Sequence, residues 1–102
     1  MNKVVQPTRS FVYILSNEQR TVVYVGFTSN LKKRIYAHKK GLISGFTKKY
    51  KAHRLVYFEQ YLDIVQARKR EKYLKGKSRA KKIALIQDSN PNWNELTPEI
   101  SK

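Results

Sequence analysis

Cysteine is absent from this chain of 102 residues, and acid is scarce: seven Asp and Glu stand against 22 Lys and Arg. Without cysteine there is no disulfide and no thiolate metal site, which fits a reducing, cytoplasmic setting. Two histidines are too few for a multi-histidine zinc site. No apolar run is long enough to span a bilayer and no signal-peptide core is visible, so no membrane association is expected. What remains is a formal charge of +15. Such a surplus repels itself in isolation, so a polyanionic partner, nucleic acid above all, is the natural expectation. A ribosomal or purely architectural protein would satisfy the same composition; charge alone does not indicate an enzyme. The length suits one compact domain with a single modest core.

The pattern along the chain predicts an α+β fold of sandwich-like character. A small, three-stranded, mainly antiparallel sheet is flanked by helices in the order β-β-α-β-α-α. Residues 1–9, with Gln6-Pro7-Thr8, read as a lead-in, residues 10–90 as the domain, and residues 91–102 as a tail. Phe11–Leu15 and Thr21–Val25 are β-branched and aromatic runs joined by the turn-forming Ser16–Arg20, a hairpin signal. A turn centred on Glu18-Gln19 would set Tyr13 opposite Tyr24, on one face of the sheet. Thr28, Ser29 and Asn30 are helix-capping residues, and the following helix runs to about Lys40 with Gly41 closing it. Leu31, Arg34, Ile35 and His38 fall on one face of that helix. Residues 41–53 read as a loop and Arg54–Tyr61 as the third strand. Asp63 and Ser78 are expected to cap two further helices, and Trp93 to plug the end of the fold.

One carboxylate stands out. At 3.6 residues per turn, Ile64, Ala67, Glu71 and Leu74 share a face, so an acid occupies a position where a helix normally turns an apolar side chain inward. Burying an unpaired carboxylate is costly. An arginine or a metal cation should therefore compensate Glu71.

Phe11-Val-Tyr13 and Tyr24-Val-Gly26, followed at family spacing by Arg34 and His38 and then by the helical Glu71, resemble the GIY-YIG nucleases. The resemblance runs from about Phe11 to about Ile86. It is closest to small stand-alone bacterial members, through the stretch Glu71–Lys82. It implies a domain that hydrolyses phosphodiesters with one divalent cation, Mg²⁺ or Mn²⁺, and Glu71 as the metal ligand. A single carboxylate suffices because such ions keep several waters and use phosphate oxygens. By the same resemblance Arg34 would hold the scissile phosphate. Tyr13 and Tyr24 would orient the attacking water, one of them as general base. His38 would relay a proton or bind phosphate. A free phenol titrates near pH 10, so neighbouring cations, Arg34 among them, and the metal would have to lower that value. Lys32, Lys33, Lys39, Lys48 and Lys49 would make diffuse phosphate contacts.

Each assignment has an ordinary rival. The tyrosines could be core residues of strands, Arg34 could pair with a surface acid, and His38 could be a half-buried structural histidine. Glu71 could form an internal salt bridge to Arg34 with no metal. Gly26 is read as easing the passage from strand to helix and the approach of a ligand, and Glu59 as a structural ion-pair partner. Phe11 replaces the glycine of the family's first signature, and the stretch Ser78–Lys82 offers no asparagine where larger repair members carry one. With no appended targeting domain expected, cutting should follow nucleic-acid shape and not sequence, or be directed by a partner protein. The expected activity is thus structure-directed endonuclease action on DNA, RNA not excluded, by a monomer or weak homodimer. The alternative is a nucleic-acid-binding module of the same fold without turnover.

Overall fold

The structure, a computed structural model, describes residues 9–96. All of the expected lead-in but Arg9, and the end of the expected tail from residue 97, lie outside the described residues. Three strands, β1 (Ser10–Ser16), β2 (Val23–Thr28) and β3 (Arg54–Tyr61), form one sheet in the order β2-β1-β3, with both neighbours antiparallel to the central β1. Helices α1 (Leu31–Lys39), α3 (Ile64–Lys75) and α4 (Arg79–Ser89) stand where the sequence puts them. A short helix, α2 (Phe46–Lys49), sits inside the stretch read as a loop. The architecture is the expected α+β arrangement with this one addition.

The hairpin register differs from the expectation. Tyr13 faces Gly26, and Tyr24 faces Leu15, so the turn is centred one residue later than Glu18-Gln19. Asn17 causes the shift: its side-chain oxygen accepts the backbone N–H groups of Thr21 and Val22, holding Thr21 and Val22 in the turn. Arg20 supplies the left-handed residue the turn needs, at φ 61°. A slip of two residues preserves the side-chain face where a slip of one would invert it. Tyr13 and Tyr24 therefore still project from the same face, as diagonal neighbours and not as an opposed pair.

The two faces of β1 build two cores. Phe11, Tyr13 and Leu15 pack with Leu31 and Ile35 of α1 and with Leu55, while Val12 and Ile14 pack with Val56, Ala67, Leu74, Ile86 and Trp93. A bulge in β3 opposite Ile14 and Leu15 turns both Val56 and Tyr57 toward α3 and α4. Side-chain caps start the helices: Asn30 accepts from the N–H of Lys33, Asp63 from that of Val65, and Ser78 from that of Lys81. Gly41 follows α1 at φ 70°, a left-handed position suited to glycine.

Glu59 locks β3 to α3. Arg70 donates to its carboxylate from Nε at 2.9 Å and from Nη2 at 2.8 Å, and the hydroxyls of Tyr57 and Tyr61 donate as well. Burial opposes ionisation of Glu59, but Arg70 and the two phenols outweigh it and hold the carboxyl below its usual range. The clamp fixes the helical turn that carries Glu71. At the far edge of the sheet, Trp93 fills the α3/α4 core while Leu96 donates its N–H to the Leu55 carbonyl at 2.8 Å and packs on the opposite core. The segment thus wraps the exposed edge of β3. No helix among the described residues is long and apolar enough to cross a membrane.

Candidate active site

Tyr13 is fully buried at the centre of the sheet, and its phenol lies directly over Gly26. A Cβ at Gly26 would stand 2.7 Å from Cε1 of that ring, with Cζ and Oη closer still. Gly26 is therefore not a passage into α1, as the sequence suggested, but a strand residue whose missing side chain makes room for the neighbouring tyrosine. Any larger residue there would drive the Tyr13 ring from its place.

The Tyr13 hydroxyl lies 3.2 Å from Nε2 of His38, and Nδ1 of His38 lies 3.0 Å from the Thr47 hydroxyl. Whichever ring nitrogen carries the proton, the imidazole links β1 to α2 through one donor and one acceptor contact. Burial, helped by the charges of Arg34 and His53, lowers the His38 pKa to about 4, so the ring is neutral at pH 7. The consequence for stability has a definite sign. An unfolded histidine takes up its proton near pH 6.5, before the folded one does. His38 thus favours the folded state fully above about pH 6.5, and this contribution falls away as the pH drops toward 4, by at most about 3 kcal/mol. Urea midpoints between pH 7.5 and 5 should fall for the wild type and stay flatter for His38→Gln. Parallel profiles would refute the assignment.

Tyr24 is half-buried and shares the face of Tyr13, with its ring edge-on to His38 at a centroid separation of 6.2 Å. Arg34 lies one turn before His38 but at the margin of the buried face, with its side chain exposed. No ion pair or hydrogen bond engages its guanidinium among the described residues, so the rival in which it pairs with an acid is not what forms. It lines a hollow of about 480 Å³ with Thr28, Asn30, Lys33 and Ile43.

Glu71 occupies a margin rather than the interior. Its side chain is 18% exposed, between the buried Ala67 and Leu74, and it is paired with Lys75 at 3.2 Å and, at 4.0 Å, with Arg68. The expected inner face is incomplete, because Ile64 is 48% exposed in the first turn of α3, before the helix settles on the sheet. The internal bridge from Glu71 to Arg34 does not form among the described residues. Lys75 stands 5.5 Å from the Tyr24 ring centroid, and Arg68 lies 4.8 Å from that of Phe27. Helix α3 lies over the Val12/Ile14 face of the sheet, and Tyr24 and Phe27 project from opposite faces of β2, so the long side chains of Arg68 and Lys75 reach both faces of that edge strand.

Tyr13 is perturbed chiefly by its own burial. Burial pushes its phenol well above the usual value, Tyr24 and Glu71 push in the same direction, and Arg34 pulls against them. Arg34 acts on Tyr13 in the lowering sense expected of a neighbouring cation, but desolvation dominates. Tyr13 and Tyr24 thus both meet His38, whereas Arg34 and Glu71 line two different hollows. Of the lysines singled out, Lys32, Lys33, Lys48 and Lys49 are exposed, whereas Lys39 is held by Glu95.

The donor set suits a hard cation with few protein ligands. Among the described residues no group of three or more His, Asp or Glu side chains comes together. Glu71 offers a lone carboxylate on a solvent-open hollow lined by Arg68, Lys72 and Lys75. A divalent ion that retains most of its water needs no more from the protein than such a lone carboxylate, here set among the cationic side chains of Arg68, Lys69, Lys72 and Lys75. The half-exposed Lys75 can swing aside on its flexible stem.

Residues 9–84 match the family model described as the GIY-YIG catalytic domain. A UPF0213 protein of Clostridium perfringens is 35% identical over 92 residues, covering 90% of this chain and 98% of its own. One from Syntrophus aciditrophicus is 34% identical over 83 residues, covering 80% and 94%. The solution NMR structure of a UPF0213 protein from Bacillus halodurans superposes with a TM-score of 0.55 at 26% identity, covering 92% of this chain and 99% of that one.

Proposed function

The chain belongs to the GIY-YIG family, a nuclease family, and from that premise we propose that it is a divalent-metal-dependent endonuclease that cuts DNA according to its structure and not its sequence. The observation that carries the reading is geometric: the Tyr13 hydroxyl lies 3.2 Å from Nε2 of His38, Tyr24 meets the same ring edge-on, and one turn earlier on α1 stands Arg34, whose guanidinium has no ion pair or hydrogen bond among the described residues. A guanidinium so placed next to two phenols and an imidazole suits a phosphodiester.

In this reading Arg34 binds the scissile phosphate and stabilises the charge that develops on its oxygens. Glu71 would hold Mg²⁺ or Mn²⁺, which supplies Lewis-acid polarisation of the phosphoryl group. Tyr24, half-exposed, would orient the attacking water and, as the phenolate, accept its proton. Tyr13, with its raised pKa, stays protonated and positions the site through His38. Lys32, Lys33, Lys48 and Lys49 track the flanking phosphates, with Lys39 contributing when released from Glu95. One site cuts one strand, so the chain acts as a nicking monomer or as a weak homodimer. A cytoplasmic location and a partner protein for targeting belong to the same reading.

Supercoiled plasmid incubated with Mg²⁺ or Mn²⁺ should be nicked, EDTA should stop the reaction, and Arg34→Ala should slow it about 100-fold or more. Salt-sensitive DNA binding without any nicking would instead favour the binding module that lacks turnover.

A further inference from the structure

Helix α2 presents two aromatic rings to solvent beside the candidate site. Phe46 and Tyr50 are 46% and 44% exposed, and their centroids are 4.8 Å apart. Phe46 also stacks on Tyr24, at 6.0 Å and an interplanar angle of 24°. Tyr24, Phe46 and Tyr50 thus make one aromatic ledge that begins at a proposed catalytic phenol and ends in solvent. Single exposed aromatics are ordinary, but a series of contacting rings leading out of a site, the first pair stacked and the second tilted at 49°, is not.

The ledge is held in place. Thr47 is buried, with its hydroxyl 3.0 Å from Nδ1 of His38, and its carbonyl accepts the N–H of the buried Ala52 at 2.9 Å. Gly45 enters the helix at φ 99°, a conformation that disfavours other residues. The backbone is therefore fixed to the core while Phe46 and Tyr50 turn outward. Cations border the rings: Lys49 lies 5.3 Å from the Tyr50 centroid and Lys75 5.5 Å from that of Tyr24.

Rings flanked by lysines suit one ligand chemistry in particular, a nucleobase whose own phosphates are nearby. A paired base offers only its edge, whereas an unpaired base offers a π-face that can stack on a phenyl or phenol. We propose that Phe46 and Tyr50 form a stacking platform for unpaired bases next to the cleaved phosphate, so that the preferred substrate is DNA with a single-stranded segment at the site. This rests on the nuclease reading for its setting, but the platform can be tested without turnover.

The test uses the full chain in EDTA with oligonucleotides carrying 2-aminopurine, either in a single strand or within a perfect duplex. Wild type should quench the probe in the single strand and not in the duplex. Phe46→Ala and Tyr50→Ala should each weaken single-strand binding about 5- to 100-fold while duplex affinity stays within about twofold, and Phe46→Trp should restore binding. Lys49→Ala, removing a phosphate contact, should weaken both substrates alike. Circular dichroism and melting of each variant establish that it is folded. Equal weakening on both substrates, unchanged affinity, or no quenching by wild type overturns the platform, the last outcome also covering a ledge that serves a protein partner. If wild type nicks plasmid in Mg²⁺ but shows no quenching, the platform fails and the nuclease reading survives. Quenching without nicking leaves the platform standing and removes the nuclease.

Discussion

Glu71→Ala should reduce plasmid nicking on the order of 1000-fold, the scale seen when a group stabilising transition-state charge is removed. It should leave the melting midpoint nearly unchanged. The two halves of this expectation have separate physical sources. Glu71 is paired with Lys75 and Arg68, whose side chains are 47% and 65% exposed. Solvent-exposed pairs of this kind contribute little to stability, and alanine is a good helix former, so folding should tolerate the change. For the proposed reaction, by contrast, Glu71 is the carboxylate that would hold the cation, on a solvent-open hollow whose Lys75 reaches the Tyr24 ring. Glu71→Gln keeps the shape and removes the charge, and should be as inactive. Glu71→Asp should retain some activity, raised by high Mn²⁺. Nicking time courses together with thermal melts decide the matter. An alanine variant that nicks within tenfold of wild type, or one that unfolds readily, would return Glu71 to a structural role.

Much of this fold was legible because local chemistry and global pattern agree. Asp63 and Ser78 each precede an amphipathic run and each caps a helix, and Arg54–Tyr61 has the composition of a strand from end to end. The missed features depend on particular contacts that composition and periodicity do not display. The hairpin register turns on Asn17 accepting two backbone amides within its own turn. Helix α2 is too short for a periodic signal, and its anchor from Thr47 to His38 exists only once α1 is in place.

The candidate site divides the same way. Tyr13, Tyr24, Arg34, His38 and Glu71 were singled out by residue type and spacing; the fold brings Tyr13 and Tyr24 to His38 and leaves Arg34 and Glu71 on separate hollows. What the sequence could not display was the inequality between the two tyrosines. Both look like strand residues with a β-branched neighbour. Only the sheet places Tyr13 at the centre strand, under α1, and Tyr24 on the edge strand beside α3. Gly26 was misread for a related reason, since its function is to lack a Cβ where the ring of a residue on the adjacent strand must lie. The aromatic pair on α2 carried a signal that could have been noticed, Phe46 and Tyr50 at helical spacing among lysines, had that stretch been read as helix.

That inequality sets the remaining large expectation. Tyr24→Phe should lower the nicking rate by about 100- to 10,000-fold, the range associated with losing a general base, with little change in stability. The Tyr24 ring would still stack on Phe46 and still meet His38, so the packing is retained. Tyr13→Phe should behave differently. Its hydroxyl is buried against His38, and removing it strands a ring nitrogen without a partner, at a cost of about 1–3 kcal/mol. Its raised pKa makes it a poor acceptor of a proton from water at neutral pH, so its loss should affect the rate mainly by loosening His38 and Arg34. The two variants thus separate along two axes: one loses rate and keeps stability, and the other loses stability and keeps more of the rate. Single-turnover nicking and urea titrations of both give the four numbers required. If Tyr13→Phe proved the slower enzyme at unchanged stability, the proton would have to leave through the Tyr13–His38 pair, and the half-exposed phenol would be left with orientation alone.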